Sequence, residues 1–127
     1  MDLVRRGTYP DGTWLDYTYT NRGSLDRITG GAPSGATSLF ANREFLSGSL
    51  YNHFGERTDM WLGQSGENQV HVNYRRDHRH RLTDLWTNLH PVSGSIERLI
   101  RNHYVFDEVN NITSIDDHRM AMEVSSW

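Results

Sequence analysis

The sequence predicts an all-β, antiparallel fold made of successive hairpins, and three observations predict it. The first is a strand–turn–strand unit at residues 98–116. There Ile100, Asn102, Tyr104 and Phe106 alternate onto one face ahead of Asp107, a turn follows at Val109-Asn110-Asn111, and a β-prone run at 112–115 leads out. The second is recurrence: aligned on Gly23, Gly55, His80 and Asn110, the unit occurs four times, at intervals of 32, 25 and 30 residues. The third is composition, because the 127 residues are only 35% hydrophobic yet hold four Trp, six Tyr and four Phe, a mix that suits pleated sheet better than helix.

In chain order, Tyr9-Pro10-Asp11-Gly12 is a turn signal that feeds a strand at 13–17. The first repeat core, 17–29, turns at Gly23. Residues 30–35 read as a loop and as the most flexible segment. Residues 38–46 read as strand by context, although Leu39, Phe40, Glu44 and Phe45 would also fit a short helix. The second core, 51–61, turns at Gly55. A loop at 63–68 precedes a strand at 69–74, which runs into the third core, 74–86, turning at His80. His90-Pro91-Val92-Ser93-Gly94 is a turn before a strand at 95–106, and the fourth core, 104–116, turns at Asn110. The tail, 119–127, matches no repeat. The length suits one domain over 1–127, or one piece of a larger array.

Each repeat position has a physical role. Four residues before the turn stands Tyr19, Tyr51 or Phe106, with Arg76 the exception; two after it stands Leu25, Leu82 or Ile112, with Arg57 the exception. Five after it comes Ile28, Met60, Leu85 or Ile115. The position after the aromatic (Thr20, Asn52, Asp77, Asp107) offers an oxygen to backbone N–H groups further on, and the turn position needs a residue that tolerates positive φ. The three-residue gap between the two aliphatics breaks alternation, so a β-bulge is expected there.

These residues resemble the YD (Rhs) repeat family, whose core reads roughly Y-x-Y-D-x-x-G-R-L-T. The best copies are YTYTNRGSLDRIT at 17–29 and YVFDEVNNITSID at 104–116, and YPDGT at 9–13 looks like the family's inter-repeat turn. Departures are Thr20 for Asp, Arg76 for the aromatic, and His80 and Asn110 for Gly; the second copy, with Arg57 at an aliphatic position, departs furthest. The resemblance implies a β-hairpin strip, twisted or closed into a small open barrel. In long family members such a strip spirals into a hollow shell around a toxin or other cargo. It also implies an extracellular or cell-surface setting, and partners in the form of further YD repeats or another chain at exposed sheet edges, with a cargo polypeptide.

Other chemistry is sparse. All 13 basic residues are arginine, net charge is −3, and cysteine is absent, so no disulfide or thiolate site exists. Neither a nucleic-acid partner nor a cofactor is implied; the first six residues show no signal peptide, and no run is long enough to span a membrane. His78 and His80, with Asp77 and His71, would share an ion if they lay on one strand, but the repeat alignment puts His80 at a turn. No G-x-S-x-G, phosphate loop or H-E-x-x-H is present, so the chain reads as non-enzymatic. Arg75, Arg76, Arg79 and Arg81 with Tyr74, Trp61 and Trp86 form a basic-aromatic patch for a glycan or anion, or else a solvated face with arginines over aromatics. Two functions follow: a structural repeat module of a cargo shell, or a cell-surface carbohydrate-binding or adhesion module.

Overall fold

A computed structural model describes residues 3–36, 38 and 41–119 and contains nine strands among them. They are β1 (Arg6–Thr8), β2 (Trp14–Tyr19), β3 (Leu25–Gly31), β4 (Glu44–Tyr51), β5 (Arg57–Leu62), β6 (Gln69–Arg76), β7 (Leu82–His90), β8 (Glu97–Phe106) and β9 (Ile112–Asp117). All pair antiparallel with their sequence neighbours in one sheet of order β1 to β9. β1 and β9 pair with one neighbour each, so the sheet is an open strip and not a barrel.

The four repeat turns join β2–β3, β4–β5, β6–β7 and β8–β9, which places them side by side along one end of the strip. Their backbones are alike. In the last turn Asp107 N–H donates to Asn111 O (2.9 Å) and Asn110 N–H to Asp107 O (3.2 Å); the equivalent pair recurs from Thr20, Asn52 and Asp77. Gly23, Gly55, His80 and Asn110 have φ of 83°, 85°, 65° and 70°. His80 and Asn110 thus hold a left-handed conformation that Gly adopts without steric cost. The side chain three residues earlier explains how. Asp77 Oδ1 accepts from the N–H of Arg79 and Arg81, Asp107 Oδ1 from Val109 and Asn111, and Asn52 Oδ1 from Phe54 and Glu56, all at 2.9–3.0 Å. Thr20 Oγ1 makes one longer bond, from Ser24 N–H at 3.2 Å.

Beyond each turn the register slips by one residue, between Thr18 and Tyr19, Leu50 and Tyr51, Arg75 and Arg76, and Val105 and Phe106. The bulged residues are Asp26, Thr58, Thr83 and Thr113, inside the gap where the sequence predicts them. The hydroxyls of Thr83 and Thr113 donate across to the carbonyls of Arg75 and Val105, tying the bulge down.

Residues paired across strands share a face. Tyr17, Ile28, Leu46, Leu62, Val70 and Leu89 form one apolar row from β2 to β7. Met60, Val72, Thr87 and Ile100 form the next, and all of these lie on the same side. The opposite side is mostly charged and amide side chains, with Leu50, Trp61, Trp86 and Val105 among them. Only Leu46 and Val72 are buried among the described apolar residues, at 3% and 8% exposure, because one layer has no second layer to cover it.

Two boundaries differ from the sequence reading. The strand expected over 38–46 begins only at Glu44, since Ala41 N–H closes a turn onto Ser38 O and Asn42 has φ 54°; Leu39 and Phe40 lie outside the described residues. Gly30 and Gly31, read as flexible loop, are the end of β3. Trp14 lies flat over Gly31, where an added Cβ would fall 2.2 Å from the indole, and Arg6 covers the same ring at 4.5 Å. Most of the tail, 120–127, also lies outside the described residues.

Candidate functional site

Two surfaces carry the chemistry: the turn end, where successive hairpins lock together, and the polar face. At the turn end the residue four before the turn reaches back to an earlier segment in the first three units. Tyr19 Oη donates to Val4 O (2.6 Å), and Tyr51 Oη to Leu25 O. In the third unit Arg76 Nη1 donates to Arg57 O at 2.6 Å. Leu25 and Arg57 each stand two residues after their own turn, so the arginine makes the bond the tyrosine makes. Arg57 in turn lies over the Tyr51 ring at 5.6 Å and donates to its hydroxyl. Both departures from the motif therefore keep its contacts. Phe106 has no hydroxyl, and in that unit Arg81 supplies the link, lying 4.9 Å over the Phe106 ring and donating to Asp107 O (3.1 Å) and Asn110 Oδ1 (3.3 Å).

Further contacts join turn to turn: Arg22 to His53 O (3.0 Å), His80 Nδ1 to Glu56 Oε1 (3.1 Å), and Arg79 to Glu108 O (3.4 Å). Between the second and third turns a groove of about 480 Å³ opens, lined by Phe54, Glu56, Tyr74, Arg76, His78 and His80 among others. Removing one lock tests the ladder: Tyr51→Phe loses the bond to Leu25 O and the one accepted from Arg57, and chemical denaturation should show a stability loss of about 1–2 kcal/mol.

The polar face is a lattice. One row runs Trp61, His71, Asn88, Arg98; the next runs Asp59, Asn73, Trp86, Arg101; the third runs Arg75, Asp84, His103, Asp116. His71 stacks on Trp61 with ring centroids 4.5 Å apart and bonds Asp59 Oδ1 at 2.8 Å, which also accepts from Asn73 at 2.8 Å. His103 Nδ1 bonds Asp84 Oδ1 at 2.9 Å. Trp86 is flanked from both neighbouring strands, by Arg75 at 6.0 Å and Arg101 at 3.5 Å.

The residues of the basic-aromatic patch do not meet as one surface. Trp61, Arg75 and Trp86 lie on the polar face. Tyr74 and Arg76 lie on the apolar one, where Tyr74 pairs with Leu85 and Arg76 with Leu82. Arg79 and Arg81 belong to the third turn. His78 is in that turn too, and no group of three or more metal-ligating side chains occurs among the described residues. No sequence pattern marks Arg101 or the Asp59–His71 and Asp84–His103 pairs. Their partners lie 12 to 19 residues apart, and only the strand register, bulges included, brings them together.

Asp107, Asp77 and Asp59 are more acidic than an ordinary Asp. Backbone N–H groups, led by that of Asn111, hold Asp107 below the ordinary Asp range. Burial pushes Asp77 and Asp59 up, but hydrogen bonds outweigh it: Arg81 and Arg79 on Asp77, Asn73 and His71 on Asp59. The unfolded chain therefore binds more protons than the folded one as pH falls through the ordinary carboxylate range. Stability is present in full above that range and is lost as pH falls through the lower folded values. Melts followed by circular dichroism should hold a steady midpoint from pH 7 to about 5 and fall below about pH 4. In Asp77→Asn/Asp107→Asn, which keeps the turn acceptors as Asn52 does, the acid loss should be shallower.

Fold and site together define a single-layer antiparallel sheet of repeated hairpins, locked to one another along the turn end. In structure the chain is similar to a chain of the TcdB2-TccC3-Cdc42 crystal structure, with a TM-score of 0.69 and 20% sequence identity. The match covers 88% of this chain and 5% of that one, so this chain spans about one-twentieth of that neighbour's length. The likeness is one of fold. No protein-family model matches the chain, and no curated protein matches it in sequence.

Proposed function

We propose that the chain is a non-catalytic structural module, a strip of YD-type hairpins that forms part of a larger β-shell enclosing a polypeptide cargo in an exported or cell-surface setting. The observation that carries this reading is the uncovered apolar face of an open sheet. Leu62, Ile112 and Ile115 stand 37%, 52% and 60% exposed on that face, and among the described residues β1 and β9 each leave one side unpaired. Such a strip is stable when further strands extend it and another surface closes over its apolar side. The repeat motif and the fold likeness to a far longer chain support the same reading. Further YD repeats, or another chain presenting a strand edge, are the partners it fits.

Light scattering with far-UV circular dichroism on the same peak tests it. The expected result is β signal in a concentration-dependent oligomer series that binds a hydrophobic dye. A sharp monomer with a cooperative melt and no dye binding would count against the shell reading and favour a self-contained binding module.

A further inference from the structure

Arg101 on β8 is 7% exposed, yet its guanidinium makes no hydrogen bond or ion pair among the described residues. It lies on Trp86, with Cζ 3.5 Å from the ring centroid. Nε is the only one of its three nitrogens that is both sealed from solvent and unpartnered. The carboxylates of the same face are engaged elsewhere: Asp84 with His103, Asp59 with His71 and Asn73, Asp116 with the Ser114 hydroxyl. Burial, and then the like charge of Arg98, hold the guanidinium below its ordinary basicity. It keeps its charge at neutral pH all the same. A buried cation without an anion is destabilising, and a planar fork with free terminal nitrogens is the geometry that takes a carboxylate two-pronged.

We propose that Arg101, seated on Trp86 in the polar face, is a binding site for a carboxylate side chain of an acidic polypeptide. The inference does not depend on the shell reading, since it concerns one side chain on one face of the sheet. The surroundings favour a polypeptide over a sugar acid. Arg101 lies on the Trp86 ring at 3.5 Å, Arg75 approaches it at 6.0 Å from the other neighbouring strand, and His71 stacks on Trp61. A pyranose would have to compete with these side chains for the indole faces, whereas a side-chain carboxylate needs only the fork.

The test uses the full chain with a hexaglutamate peptide as probe at fixed chloride, read by tryptophan fluorescence and by the thermal midpoint. Wild type should give a saturable fluorescence change and a midpoint that rises with peptide. Arg101→Met should melt higher than wild type without peptide, because the unpaired buried charge is gone, and should lose the peptide-dependent rise. Arg101→Lys keeps the charge but not the fork, and should bind about tenfold more weakly or worse. The proposal is overturned by the absence of a saturable response, or by equal binding in Arg101→Met, which would mean the other arginines act collectively. If the Met variant does not fold, Arg101→Lys decides: affinity equal to wild type overturns the fork. Binding of D-glucuronate as tight as that of the peptide overturns the polypeptide assignment.

Discussion

Replacing Arg76 with alanine should lower the stability of the sheet by about 1.5–3 kcal/mol, and replacing it with tyrosine should recover most of that loss. Arg76 stands where the repeat carries an aromatic. Its guanidinium donates to the carbonyl of Arg57 at 2.6 Å, as Tyr51 donates to Leu25. It also lies 5.8 Å over the Tyr74 ring and 3.7 Å from Glu56. Alanine removes a charge-assisted bond between the second and third hairpins and leaves a carbonyl without its donor. Tyrosine restores a hydroxyl at the end of a side chain of similar reach. Urea melts of the two variants decide the point. If Arg76→Tyr were as unstable as Arg76→Ala, the arginine would be held by Glu56 and Tyr74 and would not be a stand-in for the motif tyrosine.

Gly31→Ala should cost about 2–3 kcal/mol, the upper part of the range for an overpacked site. The indole of Trp14 lies where the new methyl would go, 2.2 Å from its nearest atoms. Trp14 cannot retreat freely, because Arg6 lies on its ring at 4.5 Å and is itself held to Asp16 at 2.6 Å. The methyl therefore displaces the tryptophan and, with it, the β1–β2 edge. Gly35, with open space where its Cβ would go, makes a control for crowding, although its φ of 83° adds backbone strain of its own. A thermal midpoint for Gly31→Ala within a degree or so of wild type would mean that the indole swings away at little cost.

The turns and bulges were legible in the sequence because they are local. A residue tolerant of positive φ, an oxygen three positions earlier and a three-residue gap between aliphatics are enough to place them, and Gly23, Gly55, His80 and Asn110 take up that conformation. The exceptions at Arg57 and Arg76 were legible as exceptions only. Their explanation lies between units, in bonds spanning 19 residues for Arg76 and 26 for Tyr51. The loop reading of Gly30 and Gly31 failed for a similar reason: two glycines look flexible until the Trp14 that covers Gly31 and the Arg43 carbonyl that holds Gly30 N–H are known. The arginine patch divided because neighbouring residues on a strand face opposite sides, so Arg75 and Arg76 could not share a surface. Arg101 gave no local signal. Its distinction is the absence of an acceptor among the described residues, which only the packed face reveals.

The measurement that tests the open strip most directly is amide hydrogen exchange at single-residue resolution, at a concentration low enough to keep the chain monomeric. In an open sheet β1 and β9 each have one bonded side. Alternate amides of Ile112–Asp117 should then exchange nearly as fast as unfolded chain, while the amides of β6 and β7 exchange slowly. Uniform protection of every amide in β1 and β9 would mean that the two edges meet or are covered, and would contradict the open strip on which the structural-module reading stands.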